Sequence, residues 1–211
     1  MFPSRHCRSR VVLVSLVFLS LASALPAYID ELNEEQVGEA YTLGQRHDQD
    51  VAKFFKAYEK TFPSMAGTLR VSRLAIRTPY YSVVFNSFER GSIYPMSQAR
   101  TDYAAHPYPF LAVVTVNIPF ANQFSVDEIS KPESRFWQQF RIGLTENAFI
   151  APRHMKSYPL YSVGTNYSSI TGAEMLLNYD VRDVASRPVT VTVTGPDGQP
   201  LSAEFDLDSL K

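Results

Sequence analysis

Cysteine is almost missing from this 211-residue chain: the single one, Cys7, lies in the first 24 residues. Downstream of residue 24 there is no thiol, so disulfides, cysteine nucleophiles and thiolate metal sites are excluded there. Charge of either sign is also sparse, with 20 Lys and Arg against 21 Asp and Glu and a net charge of -1. That balance excludes a basic nucleic-acid binder, and 45% hydrophobic residues exclude a disordered chain. There is no Gly-x-Ser-x-Gly elbow, no His-Glu-x-x-His zinc helix, no phosphate-cradling glycine loop and no EF-hand calcium loop. No internal repeat, low-complexity tract or long linker divides the chain. No cofactor is implied.

What is present begins with a leader. Arg5, Arg8 and Arg10 precede a short apolar run from Val11 to Ala22, and Ala22-Ser23-Ala24 has the small-x-small form that signal peptidase accepts. The run is interrupted by Ser15, Ser20 and Ser23 and falls short of the roughly 20 residues that cross a bilayer. Residues 1–24 therefore read as a signal peptide cleaved after Ala24, which predicts a periplasmic or secreted product with no transmembrane segment in the mature chain. Loss of three arginines leaves 17 basic against 21 acidic side chains, a mature balance of -4. That charge is ordinary for solubility and points to no particular partner.

The division expected after the leader is a helical segment over 25–62 packed on a β-sandwich-like domain over 63–211. Asn33 is placed to cap a helix with Gln36 at the third position reaching back, and Leu32 and Val37 fit a hydrophobic staple. Apolar steps of three and four through Val37, Ala40, Tyr41, Val51, Phe54, Phe55 and Tyr58 predict mostly helix over 34–61. The stripe lapses at Gly44, His47 and Asp48, which predicts a kink or break with Asp48 or Asp50 capping the second half.

Beyond Pro63 the period changes to two. Strands are expected at Leu69 to Arg77, Tyr81 to Phe88, Phe110 to Ile118, Ser134 to Thr145, Ala173 to Val184, Pro188 to Thr194 and Leu201 to Leu207. About seven strands, largely antiparallel, predict a β-sandwich or partly open barrel. Phe110 to Ile118 is apolar on both faces at its start, as a central strand is. A short helix capped by Ser97 and ended by Pro107 is expected between the second and third strands. Ala151 to Thr165 reads as loop with short extended pieces. Val189, Val191 and Val193 alternate with threonines before Gly195-Pro196-Asp197-Gly198, and Leu201, Ala203, Phe205 and Leu207 return. This hairpin resembles those of bacterial immunoglobulin-like and transthyretin-like sandwich modules, which supports the architecture and implies no activity.

Candidate chemistry is thin. His47, His106 and His154 are far apart in sequence, with no local partner suited to a metal. His47 and Asp50 share a helical face, but a solvated break is the simpler account, and His106 before Pro107 is expected at a helix end. Arg153, His154 and Lys156, followed by Tyr158, Tyr161 and Tyr167, form a basic stretch with aromatic neighbours, suited either to an anion or sugar or to guarding an edge strand. Trp137 between Arg135, Gln139 and Arg141 is either a carbohydrate platform or packing covered by Phe54, Phe55 and Tyr58. Asp127, Glu128 and Glu133, and Asp180 with Asp183, are adjacent acids that are usually just solvated. The sequence thus leads to a non-catalytic exported protein, a binding or structural accessory for a protein or carbohydrate. A hydrolase with a His and carboxylate site assembled in space, around Arg153 and His154, is the alternative.

Overall fold

The computed structural model describes residues 31–63, 69–118, 125–130, 137–145, 148–163, 168–184 and 188–210. Residues 1–24, expected from the sequence to be a signal peptide, lie outside the described residues. In chain order the elements are α1 (Glu34–Gln45), α2 (Gln49–Ala57), β1 (Glu59–Thr61), β2 (Arg70–Arg77), α3 (Pro79–Arg90), α4 (Met96–Ala105), β3 (Phe110–Asn117) and α5 (Val126–Ser130). There follow β4 (Arg141–Thr145), β5 (Phe149–Ile150), β6 (His154–Val163), β7 (Ser168–Tyr179), β8 (Pro188–Thr194) and β9 (Pro200–Asp206). Short 3-10 turns occur at Trp137–Gln139 and Val181–Asp183, among others. Among the described residues no helix is long and apolar enough to cross a membrane.

The strands form two antiparallel sheets, one ordered β1-β2-β3-β7-β6 and the other β5-β4-β8-β9. This is the sandwich-like, mostly β fold expected. Inward-facing Leu74, Ile76, Val114, Val116, Met175 and Leu177 of the first sheet share one core with Leu144, Val189, Val191, Val193 and Phe205 of the second. Each such side chain contributes about 1.5–3 kcal/mol on burial, so alternation fixes the register. The C-terminal hairpin forms as read, with Val189 opposite Phe205 and Val191 opposite Ala203. Its turn places Gly198 at φ 76°, a conformation that disfavours side chains, and Asp197 accepts the Gln199 N–H at 3.1 Å.

The helical lead follows the expected capping. Asn33 and Gln36 close a reciprocal capping box, the chain breaks with His47 at φ 48°, and Asp48 accepts the N–H groups of Asp50 and Val51 to restart the helix. The second helix stops earlier than expected, because residues 59–61 pair with β2 as a short edge strand. α1 does not lie on a sheet. It packs on α3 and α4, where Val37, Ala40, Tyr80, Val83, Val84, Ala99 and Tyr103 form a second buried cluster. Phe54 touches both clusters.

Several expectations are corrected. Tyr81 to Phe88 is helix: Thr78 caps the Tyr81 N–H at 3.0 Å, Pro79 presets the first turn, and Tyr80, Val83, Val84 and Ser87 make a helical buried stripe. The inserted helical segment is therefore the pair α3 and α4, with α5 beyond it. α4 starts at Met96 behind Pro95, with no side-chain cap from Ser97. The strand expected from Ser134 begins only at Arg141; Trp137–Gln139 is a 3-10 turn, and residues 134–136 lie outside the described residues. The strand expected at Ala173 to Val184 runs instead from Ser168 to Tyr179, where Asp180 caps a tight turn. Ala151 to Thr165, expected as loop with short extended pieces, contains the ten-residue β6, an edge strand in which Pro159 is tolerated. Among the described residues there are nine strands, against about seven expected.

Gly44 is buried where α1 meets α3. A Cβ there would stand 2.4 Å from the Val84 carbonyl oxygen and 2.7 Å from Ser87 Cβ, so Gly44→Ala must push the helices apart. A Cβ at Gly38 meets only the Arg100 guanidinium at 3.5 Å and Met96 Sδ at 3.9 Å. Gly44→Ala should destabilise by roughly 1–3 kcal/mol, whereas Gly38→Ala should stabilise by up to about 1 kcal/mol through helix propensity. Urea unfolding of the two variants measures this pair of opposite signs; equal shifts would refute the α1–α3 contact.

Candidate functional site

The outer face of the five-stranded sheet, turned away from the shared core, carries most of the unusual chemistry. Register places its side chains in rungs: Arg73, Thr115, Glu174 and Tyr158; then Ala75, Val113, Leu176 and Lys156; then Arg77, Leu111, Asn178 and His154. β3 supplies the middle of each rung, and Val113 and Thr115 are buried although they face outward.

The cover over β3 is ionic. Arg73 donates to the Thr115 hydroxyl at 3.1 Å and reaches across β3 to Glu174 at 2.8 Å, and its other nitrogen meets Glu59 at 3.2 Å. Arg77 joins Glu174 at 3.4 Å and stacks over Phe85 at 5.6 Å and Tyr81 at 5.9 Å from the ring centroids. Glu174, with 18% of its side chain exposed, thus holds two guanidinium groups at once.

The β6 side of the same face is uncovered. There Pro109, Leu111 and Leu176 floor a recess of about 240 Å³ bordered by His154, Lys156, Tyr158 and Asn178. His154, Lys156 and Tyr158 are exposed, and the side chains of these three and of Asn178 make no ion pair or hydrogen bond among the described residues. They line up because alternate residues of a strand share a face. The intervening Ser157 is buried, donating its hydroxyl to the Ile129 carbonyl of α5, which plugs the inner side of β6.

Arg153 belongs to a neighbouring recess of about 260 Å³ that shares Pro109 and Asn178 with the first. It pairs with Asp180, which also accepts the Arg182 guanidinium at 2.8 and 3.1 Å and the Arg182 N–H at 3.0 Å. These bonds from Arg182, with the Arg153 charge added, hold the Asp180 carboxyl well below the ordinary 3.8. Asp180, only 7% exposed at its side chain, is an organising residue that sequence reasoning passed over as a solvated acid. The available signal was its place between a strand end and Arg182, two residues on.

The remaining candidates do not join this site. Arg141 is exposed on β4, in the other sheet. Trp137 sits in a 3-10 turn rather than on a strand face, and its side chain lies outside the described residues. Phe54, Phe55 and Tyr58 pack against rings of α3. His47 lies against Phe88 with ring centroids 4.5 Å apart, and His106 is exposed at the end of α4. Among the described residues neither these nor His154 bonds to a carboxylate or hydroxyl, and no group of three metal-ligating side chains converges. Glu128 accepts the Ser125 N–H at 2.6 Å as a local cap, and Tyr167 lies outside the described residues. Comparison with protein-family models, with curated proteins and with solved structures finds no match.

Because the folded Asp180 carboxyl is depressed below its ordinary value, its stabilising contribution is complete above about pH 4 and is lost as pH falls through the depressed range. Asp180→Asn should therefore lower stability near pH 7, and the gap to the unaltered protein should narrow near pH 3. Denaturant titrations at the two pH values measure the gap; a gap of constant size would contradict the double-arginine clamp.

Proposed function

We propose that the chain is an exported, non-catalytic β-sandwich protein whose recess beside β6 binds a ligand. The observation that carries this reading is the meeting of an apolar floor, Leu111 and Leu176, with polar groups at its rim, Lys156, His154 and Asn178, whose side chains have no partner among the described residues. A few convergent polar groups over a concave apolar surface are the general form of a small-ligand site.

Edge protection alone accounts for a lysine and a proline on β6. It does not account for the apolar floor behind them, where Leu111 and Leu176 are only partly buried, whereas Val113 and Thr115 in the middle of the same face are buried. The hydrolytic alternative draws no support from the three histidines, because a general base needs a partner or substrate proton within hydrogen-bond reach and none of them is oriented by a carboxylate among the described residues. Export rests on the leader.

Protein expressed with its full leader in a secretion-competent host should be recovered outside the cytoplasm beginning at Leu25. In an amide NMR screen with a mixed panel of neutral and charged small molecules, shifts should cluster at Leu111, Lys156 and Leu176. A product retaining Met1 inside the cell counts against export. Shifts that scatter, or that gather at the end of the sandwich around Val71 and Phe140, count against this recess.

A further inference from the structure

Resting on the proposed recess, we infer the chemical class of its ligand: a small monoanion with an apolar body, its carboxylate or equivalent oxyanion at Lys156 and its chain or ring on Leu111 and Leu176. The sign of the charge follows from what is already neutralised around the recess. Glu174, one rung from Leu176 on β7, is engaged by Arg73 and Arg77; Asp180, two residues beyond Asn178, is engaged by Arg153 and Arg182. Among the described residues no carboxylate lines the recess itself. Lys156 is left on this floor as a cation without a partner among the described residues, and the Asn178 amide beside it has donors to spare.

A single negative charge matches the one lysine on the rim, whereas a dianion would seek the fork of an arginine, and Arg153 is held by Asp180. The size follows from the volume. About 240 Å³ lies below the range of roughly 300–1,000 Å³ typical of drug-sized ligands, which limits the occupant to a short chain or a single ring. A neutral sugar fits poorly, since its hydroxyls would lie on leucine side chains that return no hydrogen bonds.

Octanoate and benzoate, compared with octanol and octylamine, are the probes. Titration into the exported protein, followed by amide NMR, should place both carboxylates at Leu111 and Leu176 and show octanol binding about tenfold more weakly, a difference of about 1.4 kcal/mol. Lys156→Gln, an exposed change on an edge strand, should remove that preference while leaving octanol binding intact; Arg141→Gln, the same charge change on the other sheet, should leave it in place. Octanol or octylamine binding at the recess as tightly as octanoate, or a preference untouched by Lys156→Gln, would overturn the anion assignment while the recess stands. If none of the four probes moves Leu111 or Leu176, the recess itself falls, and the assignment with it.

Discussion

The bridge from Arg73 to Glu174 across β3 is the interaction on which the molecule's asymmetry depends. A strand buried on both faces must be covered twice, and β3 is covered on its inner side by the second sheet and on its outer side by a guanidinium laid over Thr115. An ionic cover of this kind is stable only when both partners find further bonds; Glu59, Arg77 and the rings of Tyr81 and Phe85 supply them. The cover extends from β1 to β7 and stops there. The sheet continues for one more strand, and Leu111 and Leu176 are left only partly buried beside Lys156. The recess is thus a consequence of where the ionic cover ends.

The helices serve the same arrangement. α3 and α4 connect β2 to β3, adjacent antiparallel strands that a two-residue turn could have joined. The longer excursion brings Tyr81 and Phe85 beside Arg77, and it gives α1 a platform, with Gly44 set tightly against α3. The restart at Asp48 directs α2 so that Phe54 and Tyr58 meet Tyr81, joining the helical cluster to the sandwich core. Arg153, Arg182 and Asp180 fasten the opposite edge, where β7 ends.

Much of this was legible in the residues. Period-two alternation located β2, β3, β8 and β9 to within a residue or two, because each buries one side and the cost of a slip is several side chains at once. Capping chemistry located Asn33 and Asp48. Tyr81 to Phe88 was misread because Tyr81, Val83 and Phe85 alternate as a strand does, while the decisive pair, Thr78 followed by Pro79, lies just before them. Most of β6 reads as loop with short extended pieces because Pro159 and the tyrosines break alternation, and only its position at a sheet edge makes the proline acceptable. Lys156 and His154 were visible as candidates, but the leucines beneath them come from β3 and β7, tens of residues distant in sequence. No local pattern carries such a floor.

The account rests on β6 presenting Lys156 and Tyr158 to the open face while Ser157 turns inward beneath α5. Thiol labelling tests it directly: Lys156→Cys, Ser157→Cys and Tyr158→Cys, each made in a Cys7→Ser background so that one thiol is present. Thiols at 156 and 158 should react as fast as in the unfolded chain, and the thiol at 157 should react only as the protein opens, orders of magnitude more slowly. Equal rates at all three positions, or the fastest rate at 157, would contradict the placement of this strand and the recess beside it.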